Sequence, residues 1–539
     1  MKKFVSILLT LVMILTMNVC VLAAENTTLN INDDGNREYA GYQLLNLTTS
    51  LKTGEHHPNT CIGENHSSDC YNYAYTVNEV YREILQKEVF DNGGNYLWEG
   101  GAKPAAATDI TDAQILKYLD NQTSDNGDVY HTMRQVADRI YRAIKNEGIE
   151  AEKTLSTDDT NMELEQGYWI IADVTNLTGN AANSLVMVNT KGQDALEINP
   201  KTGLSTVEKK VKDIEDSEDG SIEDNPWHDS ADHDFGDVVP FKLTGTLPNN
   251  AQYYQTFKMV FHDTLSAGLT LNAGSIKVYM YETKHKADVD TDMNDGADVT
   301  EKFVVNTSTT DGCTFEVGCD NVFTINGVTK DTAFVVYYTA TLENTAVIGS
   351  AGNPNEVFLE FSNDPYGDST GKTETDKVTV FTYQLVVNKT DSHGHALKGA
   401  GFTLYKKDVN GDYQPIGAEL KGTDMTTFTW KGIDDGDYKL EESTVPEGYN
   451  KMSDIVFSIS AVHSETAGEP TLVSLDGGLM GTGVVDTGAI TKDIVNNTGA
   501  ILPSTGAMGT IAFVGIGTMF VIVAAVFMIT RKKMSIYED

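Results

Sequence analysis

The chain has 539 residues, with 39 basic and 78 acidic side chains and a formal net charge of −39 at pH 7. This length is too great for one compact domain and suits three or four. A surface this negative repels nucleic acid and anionic lipid, so neither is an expected partner.

The N-terminus has the pattern of a secretory signal peptide over residues 1–24. Two lysines precede a long apolar run, and the small residues Ala23 and Ala24 follow it as candidate cleavage positions. Lipidation of Cys20 is the alternative, but no small residue stands directly before that cysteine. We therefore expect the mature protein to be secreted.

Four cysteines remain after removal of the signal peptide, in two closely spaced pairs: Cys61 and Cys70, and Cys313 and Cys319. An even number of cysteines in an exported chain predicts two local disulfides. Metal binding by the first pair with nearby histidines is the alternative, although the spacing differs from that of zinc sites. The sequence therefore predicts no metal and no cofactor.

Residues 25–198 combine two kinds of hydrophobic period. Residues 76–89 and 131–146 repeat apolar side chains at helical spacing, with Val80 among those expected on the apolar face. Strand-like runs follow at 167–174 and 184–190. This region is predicted to be an α+β domain with helices inserted in a β framework.

Residues 199–382 and 383–499 both alternate apolar and polar residues between Gly, Asn and Pro turns. They predict a mainly β protein with tandem immunoglobulin-like β-sandwich domains. The acidic stretch 213–237 is predicted to be a solvated loop, and the nearby stretch 288–301 loosely resembles a calcium loop. Calcium binding is the alternative there, although Gly296 falls one position late for a calcium loop.

Three polar residues of the last β region fall on apolar strand faces. Lys389 shares a face with Val387, Glu442 with Leu440, and Asn496 with Ile494, because strand side chains alternate. A desolvated lysine loses its proton and becomes a nucleophile, while a protonated carboxyl group polarises an asparagine amide. An intramolecular isopeptide bond is one outcome, and a buried Lys389–Glu442 ion pair or outward-facing side chains are the alternatives.

The segments NKTDSHGHALKGAGFTLY and GDYKLEESTVPEGY of this region resemble the collagen-adhesin B-type domain of Gram-positive pilins. The resemblance implies a bond between Lys389 and Asn496 that is assisted by Glu442. Alternation prefers Glu442 to its neighbour Glu441, whereas Asn496 and Asn497 both stay open.

The preceding β region contains a similar set of residues. Lys209 lies on an apolar face with Val207 and Val211, and Lys210 points the other way. The region resembles the isopeptide-forming second domain of fimbrial backbone subunits. That resemblance implies the bond-forming set Lys209, Asp263 and Asn355, with Lys210 and Asn353 as alternatives.

Lys201 lies in a proline-led loop, EINPK, between the first two regions. This segment resembles the pilin motif of backbone pilins, although Ile198 and Asn199 stand where that motif has a valine–tyrosine pair. The resemblance implies that Lys201 accepts the threonine acyl group of the next subunit from a class C sortase. An ordinary solvated linker lysine is the alternative.

Residues 500–539 resemble the sortase sorting signal of Gram-positive surface proteins. Leu502, Pro503, Ser504, Thr505 and Gly506 precede an uncharged span at 509–530, and three basic residues follow at 531–533. The resemblance implies cleavage between Thr505 and Gly506, so that the span retains the chain in the membrane only transiently.

Together these resemblances imply the backbone subunit of a cell-wall-anchored pilus, not an enzyme. The implied partners are identical subunits, a class C pilin sortase, a housekeeping sortase, ancillary pilins and peptidoglycan. A singly anchored tip or base adhesin is the alternative. The sequence identifies neither the ancillary pilins nor a ligand on host or bacterial surfaces.

Overall fold

The computed structural model describes residues 26–32, 37–51, 71–94, 97–98, 101–123, 129–157, 159, 161–176, 181–199, 203–214, 227–290, 295–464, 468–499, 514 and 516–526. Within these ranges the protein is mainly β, and its longer α-helices lie in the N-terminal region. This confirms the predicted fold class. Several predicted features lie outside the described residues: the signal peptide, Cys61, Cys70, Lys201, residues 502–506 and residues 215–226 of the acidic stretch. Residues 229–233 of that stretch are buried, so the prediction of a solvated loop is wrong for them.

The described part of the N-terminal region has two sheets and three α-helices. Its elements are β1 Thr27–Ile31, β2 Tyr39–Leu51, β3 Tyr71–Val77, α1 Arg82–Asn92, α2 Asp112–Thr123, α3 Val129–Glu147, β4 Lys153–Leu155, β5 Asn161–Leu164, β6 Gly167–Asp173, β7 Leu185–Asn189 and β8 Ala195–Ile198. The larger sheet has the order β3-β2-β6-β7, with β4 on β2, and the smaller has the order β5-β1-β8. Strand β6 is buried on both faces because the helices cover one side and the small sheet covers the other.

The predicted helices of this region exist, but the first begins later than its periodicity indicates. Helix α3 buries Val136, Ile140 and Ile144 on one face, as predicted. Asn78 caps a 3-10 turn over Glu79–Tyr81, and α1 starts only after that turn. The turn rotates Val80 away from the core and leaves its side chain 56% exposed, so the prediction that Val80 is buried is wrong.

The central sandwich comprises two sheets packed face to face. Its elements are β9 Val207–Lys212, β10 Trp227–His228, β11 Ser230–Asp232, β12 Val238–Thr246, β13 Met259–Leu265, β14 Leu269–Leu271, β15 Lys277–Tyr281, α4 Lys284–Val289, β16 Ala297–Asp298, β17 Val304–Asn306, β18 Phe315–Cys319, β19 Ala333–Leu342, β20 Asn353–Ser362, β21 Thr370–Lys372 and β22 Asp376–Phe381. One sheet has the order β10-β9-β12-β19-β15-β16, with β14 on β19. The other has the order β11-β22-β20-β13-β18-β17, with β21 on β20. Alternate residues of both sheets form one apolar core.

The C-terminal sandwich is smaller and joins its first and last strands. Its strands are β23 Tyr383–Asp391, β24 Gly401–Lys407, β25 Tyr413–Pro415, β26 Leu420–Lys421, β27 Thr427–Ile433, β28 Gly436–Thr444, β29 Ile455–His463, β30 Leu472–Asp476 and β31 Ala489–Asn496. One sheet has the order β27-β23-β31, and the other has the order β25-β24-β28-β29-β30, with β26 on β24. Strands β23 and β31 pair in parallel over eight residues. Residues 516–526 are helical, and none of the helices described is long and apolar enough to cross a membrane.

Cys313 and Cys319 are both buried free thiols, so the predicted disulfide between them is wrong. Cys313 precedes β18, and Cys319 is the last residue of that strand. Phe315 to Cys319 is extended, and four residues of strand span about 13 Å at about 3.3 Å each. A disulfide tolerates a Cα–Cα distance of at most about 7 Å, and this extended segment between the two cysteines keeps them apart.

The two sandwiches contact each other through backbone and side-chain hydrogen bonds. Phe235 N donates to Gly432 O at 2.9 Å, and Asp434 N donates to Asp234 Oδ1 at 2.9 Å. Gly432 has φ +71°, and the Phe235 ring occupies the position that a Cβ would take. Lys406 pairs with Asp234 at 2.9 Å and also with Asp434. This junction therefore joins the two sandwiches through specific contacts.

A buried carboxyl group beside the junction predicts a pH-dependent stability. Asp232 is 1% exposed, and burial followed by the charge of Asp213 raises its pKa to about 7. The native state holds the Asp232 proton more tightly than the unfolded chain does. The protonated carboxyl group therefore contributes its whole stabilisation below about pH 4, and this stabilisation is lost as the pH rises through about 7. We expect Asp232→Asn to raise the melting temperature at pH 8 more than at pH 5. The gain is a few kcal/mol at most, at about 1.4 kcal/mol for each pKa unit.

Thermal unfolding at both pH values measures this difference. Asp368→Asn is the matched control, because Asp368 is an exposed carboxyl group. An equal pH response of the wild type and Asp232→Asn would contradict the prediction.

Candidate functional site: two buried lysine–acid–asparagine clusters

The central cluster lies between the two sheets of the central sandwich. Lys209 comes from β9, Asp263 from β13 and Asn355 from β20, and all three side chains are fully buried. Lys209 points inward with Val211, since alternate residues of β9 face the core. The sandwich thus brings together three polar side chains from two sheets.

Tyr338 on β19 contacts all three members of this cluster. Its hydroxyl accepts hydrogen bonds from Lys209 Nζ at 3.0 Å and from Asn355 Nδ2 at 2.7 Å. The same hydroxyl donates to Asp263 Oδ2 at 3.0 Å. A phenol can donate once and accept twice, so Tyr338 uses its full capacity here. Lys209 Nζ also contacts Asp263 Oδ2 directly.

The sequence pattern did not single out Tyr338 as a functional residue. A signal for it exists, because Phe334, Val336 and Tyr338 share one face of a strand-like run. Tyrosine is common in β-sheet cores, however, so the pattern by itself does not distinguish this hydroxyl from an ordinary core position. Only the facing strands show what the hydroxyl contacts.

Burial sets the protonation of the lysine and the acid in the central cluster. It lowers the pKa of Lys209, against the opposing effect of the Asp263 charge. It also raises the pKa of Asp263, against the opposing effect of Lys209. Both changes favour a neutral amine beside a protonated carboxyl group. Asp263 Oδ1 and Asn355 Oδ1 are buried and accept no hydrogen bond from the described residues.

The neighbouring residues that the sequence left as alternatives lie elsewhere. Lys210 Nζ pairs with Asp229 Oδ1 at 2.5 Å and with Glu208 Oε1 at 3.2 Å, and so has no part in the cluster. Asn353 is buried, but its side-chain nitrogen donates to the carbonyls of Val347 and Val380 at 3.0 and 3.1 Å. Its amide is therefore engaged with backbone.

The C-terminal cluster joins β23, β28 and β31. Lys389, Glu442 and Asn496 are all at most 1% exposed. Asn496 Nδ2 donates to Glu442 Oε1 at 2.6 Å, and Met452 N donates to Glu442 Oε2 at 2.9 Å. Lys389 Nζ donates to the carbonyls of Thr390 and Ile494, both at 3.0 Å. Burial lowers the pKa of Lys389, which favours its neutral form.

The alternatives to this second set are more exposed. Glu441 is half-buried on the other face of β28, where it accepts from Tyr405 OH at 3.1 Å and from Lys451 Nζ at 2.9 Å. Asn497 is exposed. The structure therefore brings Asn496, not Asn497, to Glu442 and to the strand of Lys389.

Comparisons with known protein families match two parts of the chain. Residues 383–469 match the SpaA family, which is described as a prealbumin-like fold domain. Residues 494–535 match the LPXTG cell wall anchor motif of Gram-positive bacteria. The second match includes the residues that the sequence analysis assigned to a sorting signal.

Individual relatives are surface proteins and pilins. The chain is 27% identical over 268 residues to the trypsin-resistant surface T6 protein of Streptococcus pyogenes serotype M6, and the match covers 46% of this chain and 44% of that protein. The T6 backbone pilin structure of serotype M6 Streptococcus pyogenes gives a TM-score of 0.48 at 15% identity, covering 88% of this chain and 99% of that one. The full-length major pilin SpaD of Corynebacterium diphtheriae gives 0.42 at 13% identity, covering 89% and 99%.

The matched motif and domain define the class of protein. It is a Gram-positive surface protein with an LPXTG cell wall anchor, as predicted. More particularly, the SpaA domain and the similarity to the T6 protein confirm the predicted resemblance to Gram-positive pilins.

Proposed function

We propose that this protein is the backbone subunit of a sortase-assembled pilus, with the predicted domains 25–198, 199–382 and 383–499 stacked along the fibre. One observation carries the proposal most strongly. Two separate sandwiches each bury a lysine, a carboxylic acid and an asparagine in one small space. Burying such groups costs free energy unless they have partners or react, so two such sets in one chain favour a shared chemical purpose.

That purpose is an intramolecular isopeptide bond in each sandwich. The neutral Nζ of Lys209 attacks Cγ of Asn355, a new C–N bond forms, and the side-chain nitrogen of Asn355 leaves as ammonia. Asp263 takes a proton from the attacking amine and delivers one to the leaving group. Burial holds the reactants close, which supplies the effective concentration. Lys389, Glu442 and Asn496 play the same parts in the C-terminal sandwich.

Both bonds would lie on the path of a pulling force. Lys389 is on the first strand of its sandwich and Asn496 on the last, and these strands are paired in parallel. Lys209 is on β9, the first strand of the central sandwich. Asn355 is on β20, which lies near the C-terminal end of the same sandwich. A covalent link between such strands carries tension directly, so the sandwich does not unzip. In the described part of the N-terminal region no lysine is buried, and we propose no such bond there.

The links between subunits would use the two ends of the chain. A class C sortase breaks the Thr505–Gly506 bond and passes the Thr505 acyl group to Lys201 Nζ of the next subunit. Repetition of this head-to-tail contact does not close on itself, and so it gives a fibre. A housekeeping sortase then transfers the last subunit to peptidoglycan. Ancillary pilins would complete the fibre.

Replacing Lys201 tests the subunit link. In the native cell we expect Lys201→Ala to abolish the ladder of detergent-stable, high-mass species in cell-wall extracts, because no amine accepts Thr505. Immunoblots measure the ladder, and peptide mapping of the wild type should find Thr505 joined to Lys201. Lys191→Ala is the matched control, since Lys191 is an exposed lysine nearby.

The same immunoblots and peptide mapping decide between a backbone pilin and a singly anchored adhesin. A ladder that persists in Lys201→Ala would show that another lysine is the acceptor. Thr505 joined only to wall peptide in the wild type, without any ladder, would replace the backbone subunit with a singly anchored tip or base adhesin.

A further inference from the structure

The outer face of the central sandwich carries a second group of reactive side chains. His262 lies on β13, Glu316 on β18, and Asp311 and Cys313 on the loop that precedes β18. One ligand atom from each of the four residues lies within 4.8 Å of all the others. His262 directly precedes Asp263 but points to the opposite face of the sheet, so this group is separate from the isopeptide cluster.

The histidine at the centre of this group is held rigidly. His262 is 7% exposed, and its ring stacks on Phe358, with ring centroids 4.4 Å apart and planes 9° apart. Its Nε2 lies 3.2 Å from Glu360 Oε2, and Glu360 is itself paired with Lys258 at 3.0 Å. A carboxylate that accepts the Nε2 proton of a histidine leaves Nδ1 with a lone pair.

That lone pair faces three further electron-rich atoms. From Nδ1 the distance to Asp311 Oδ2 is 2.8 Å, to Glu316 Oε1 3.6 Å and to Cys313 Sγ 4.0 Å. Two carboxylates, a sulfur and an imidazole nitrogen repel one another unless a cation lies among them. Either a proton on Nδ1 or a bound metal ion supplies that charge.

We propose that His262, Asp311, Cys313 and Glu316 form a binding site for one thiophilic divalent cation, Zn²⁺. Zinc bonds of about 2.0–2.3 Å in a tetrahedron place ligand atoms about 3.3–3.8 Å apart. The observed separations of 2.8 to 4.0 Å from Nδ1 bracket this range. Thiolate and imidazole ligands favour zinc over calcium or magnesium.

The surroundings suit such a site. Asp311 is exposed and Glu316 half-buried, which leaves a path for the ion, whereas Cys313 and His262 are buried beneath them. Glu360 would orient His262 from outside the coordination shell, as carboxylates commonly do for zinc-bound histidines. Binding releases the Cys313 thiol proton. The bound ion would hold the loop before β18 to the sheet and stabilise the central sandwich.

Cobalt(II) substitution tests the site in the mature protein purified under reducing conditions. The titration is repeated with the Cys61→Ser/Cys70→Ser double variant, so that these two cysteines cannot bind the added cobalt. We expect one Co²⁺ per chain, a thiolate-to-cobalt absorption band in the near ultraviolet, and displacement of cobalt by Zn²⁺. Cys313→Ser should abolish the band, and Asp311→Asn should weaken binding at least tenfold. Glu360→Gln should weaken it about 10- to 100-fold, the usual effect of losing an outer-shell partner.

Cys319→Ser is the matched control, because it removes the other buried thiol, which lies at the far end of β18. It should leave the absorption band and affinity unchanged. Asp311 is exposed, so Asp311→Asn should fold normally. Weaker binding by this variant therefore reports on the site and not on misfolding. The proposal is overturned if the protein takes up neither cobalt nor zinc, or if the absorption band survives Cys313→Ser. A proton on Nδ1 of His262 would then take the place of the metal ion.

Discussion

Lys209→Met is expected to lower the free energy of unfolding of the central sandwich by about 5 kcal/mol. The proposed Lys209–Asn355 bond closes a loop of roughly 150 residues, and cross-linking a loop of that size removes about this much chain entropy from the unfolded state. Methionine keeps the length and apolar character of the side chain but has no nucleophilic amine. Thermal or denaturant unfolding measures the loss.

Intact mass decides whether the missing bond causes the effect. Formation of each bond releases one ammonia and makes the chain about 17 Da lighter. We expect the wild type to show two such losses and both Lys209→Met and Asn355→Ala to show one. Lys210→Met is the matched control, because Lys210 pairs with Asp229 away from the cluster. It should show both losses and wild-type stability. A wild type of full mass, or Lys209→Met with both losses, would contradict the assignment.

In the C-terminal sandwich, Glu442→Gln is expected to prevent the Lys389–Asn496 bond. Glutamine has nearly the same shape and still reaches Asn496, but it cannot move protons between the amine and the leaving group. The chain should be about 16 Da heavier than the wild type, because it keeps about 17 Da of ammonia and the Glu→Gln change removes about 1 Da. Its C-terminal sandwich should lose about 5 kcal/mol of stability, since the bond closes a loop of roughly 110 residues.

Glu441→Gln provides the matched control for this prediction. Glu441 lies next to Glu442 in sequence, but it contacts Tyr405 and Lys451 on the opposite face of β28. We expect it to retain the bond and to melt with the wild type. If Glu442→Gln still loses ammonia, proximity of lysine and asparagine is sufficient and the carboxyl group is not needed.

Tyr338 distinguishes the two clusters. Its hydroxyl contacts the lysine, the acid and the asparagine of the central cluster, whereas the C-terminal acid receives a backbone N–H from Met452 instead. In both clusters a second donor fixes the carboxyl group beside the asparagine. The two sandwiches therefore reach a similar arrangement through different supporting residues.

Much of the candidate site could be predicted because strand alternation is a local property. Two adjacent lysines or glutamates cannot both face the core of one strand, so the pattern favoured Lys209 over Lys210 and Glu442 over Glu441. The order of apolar span and basic residues after the LPSTG pentapeptide is equally local. The family match over residues 494–535 confirms it.

Only the tertiary structure shows which residues far apart in the chain contact each other. Asn353 and Asn355 are both buried on one strand, and only the facing strands show that Asn355 reaches Tyr338 while Asn353 bonds to backbone. Cys313 and Cys319 are close in sequence but are separated by an extended strand, and a 3-10 turn moved Val80 out of the core. Alternation fixes the face on which a side chain lies, whereas its partner depends on the pairing register and packing of strands far apart in the chain.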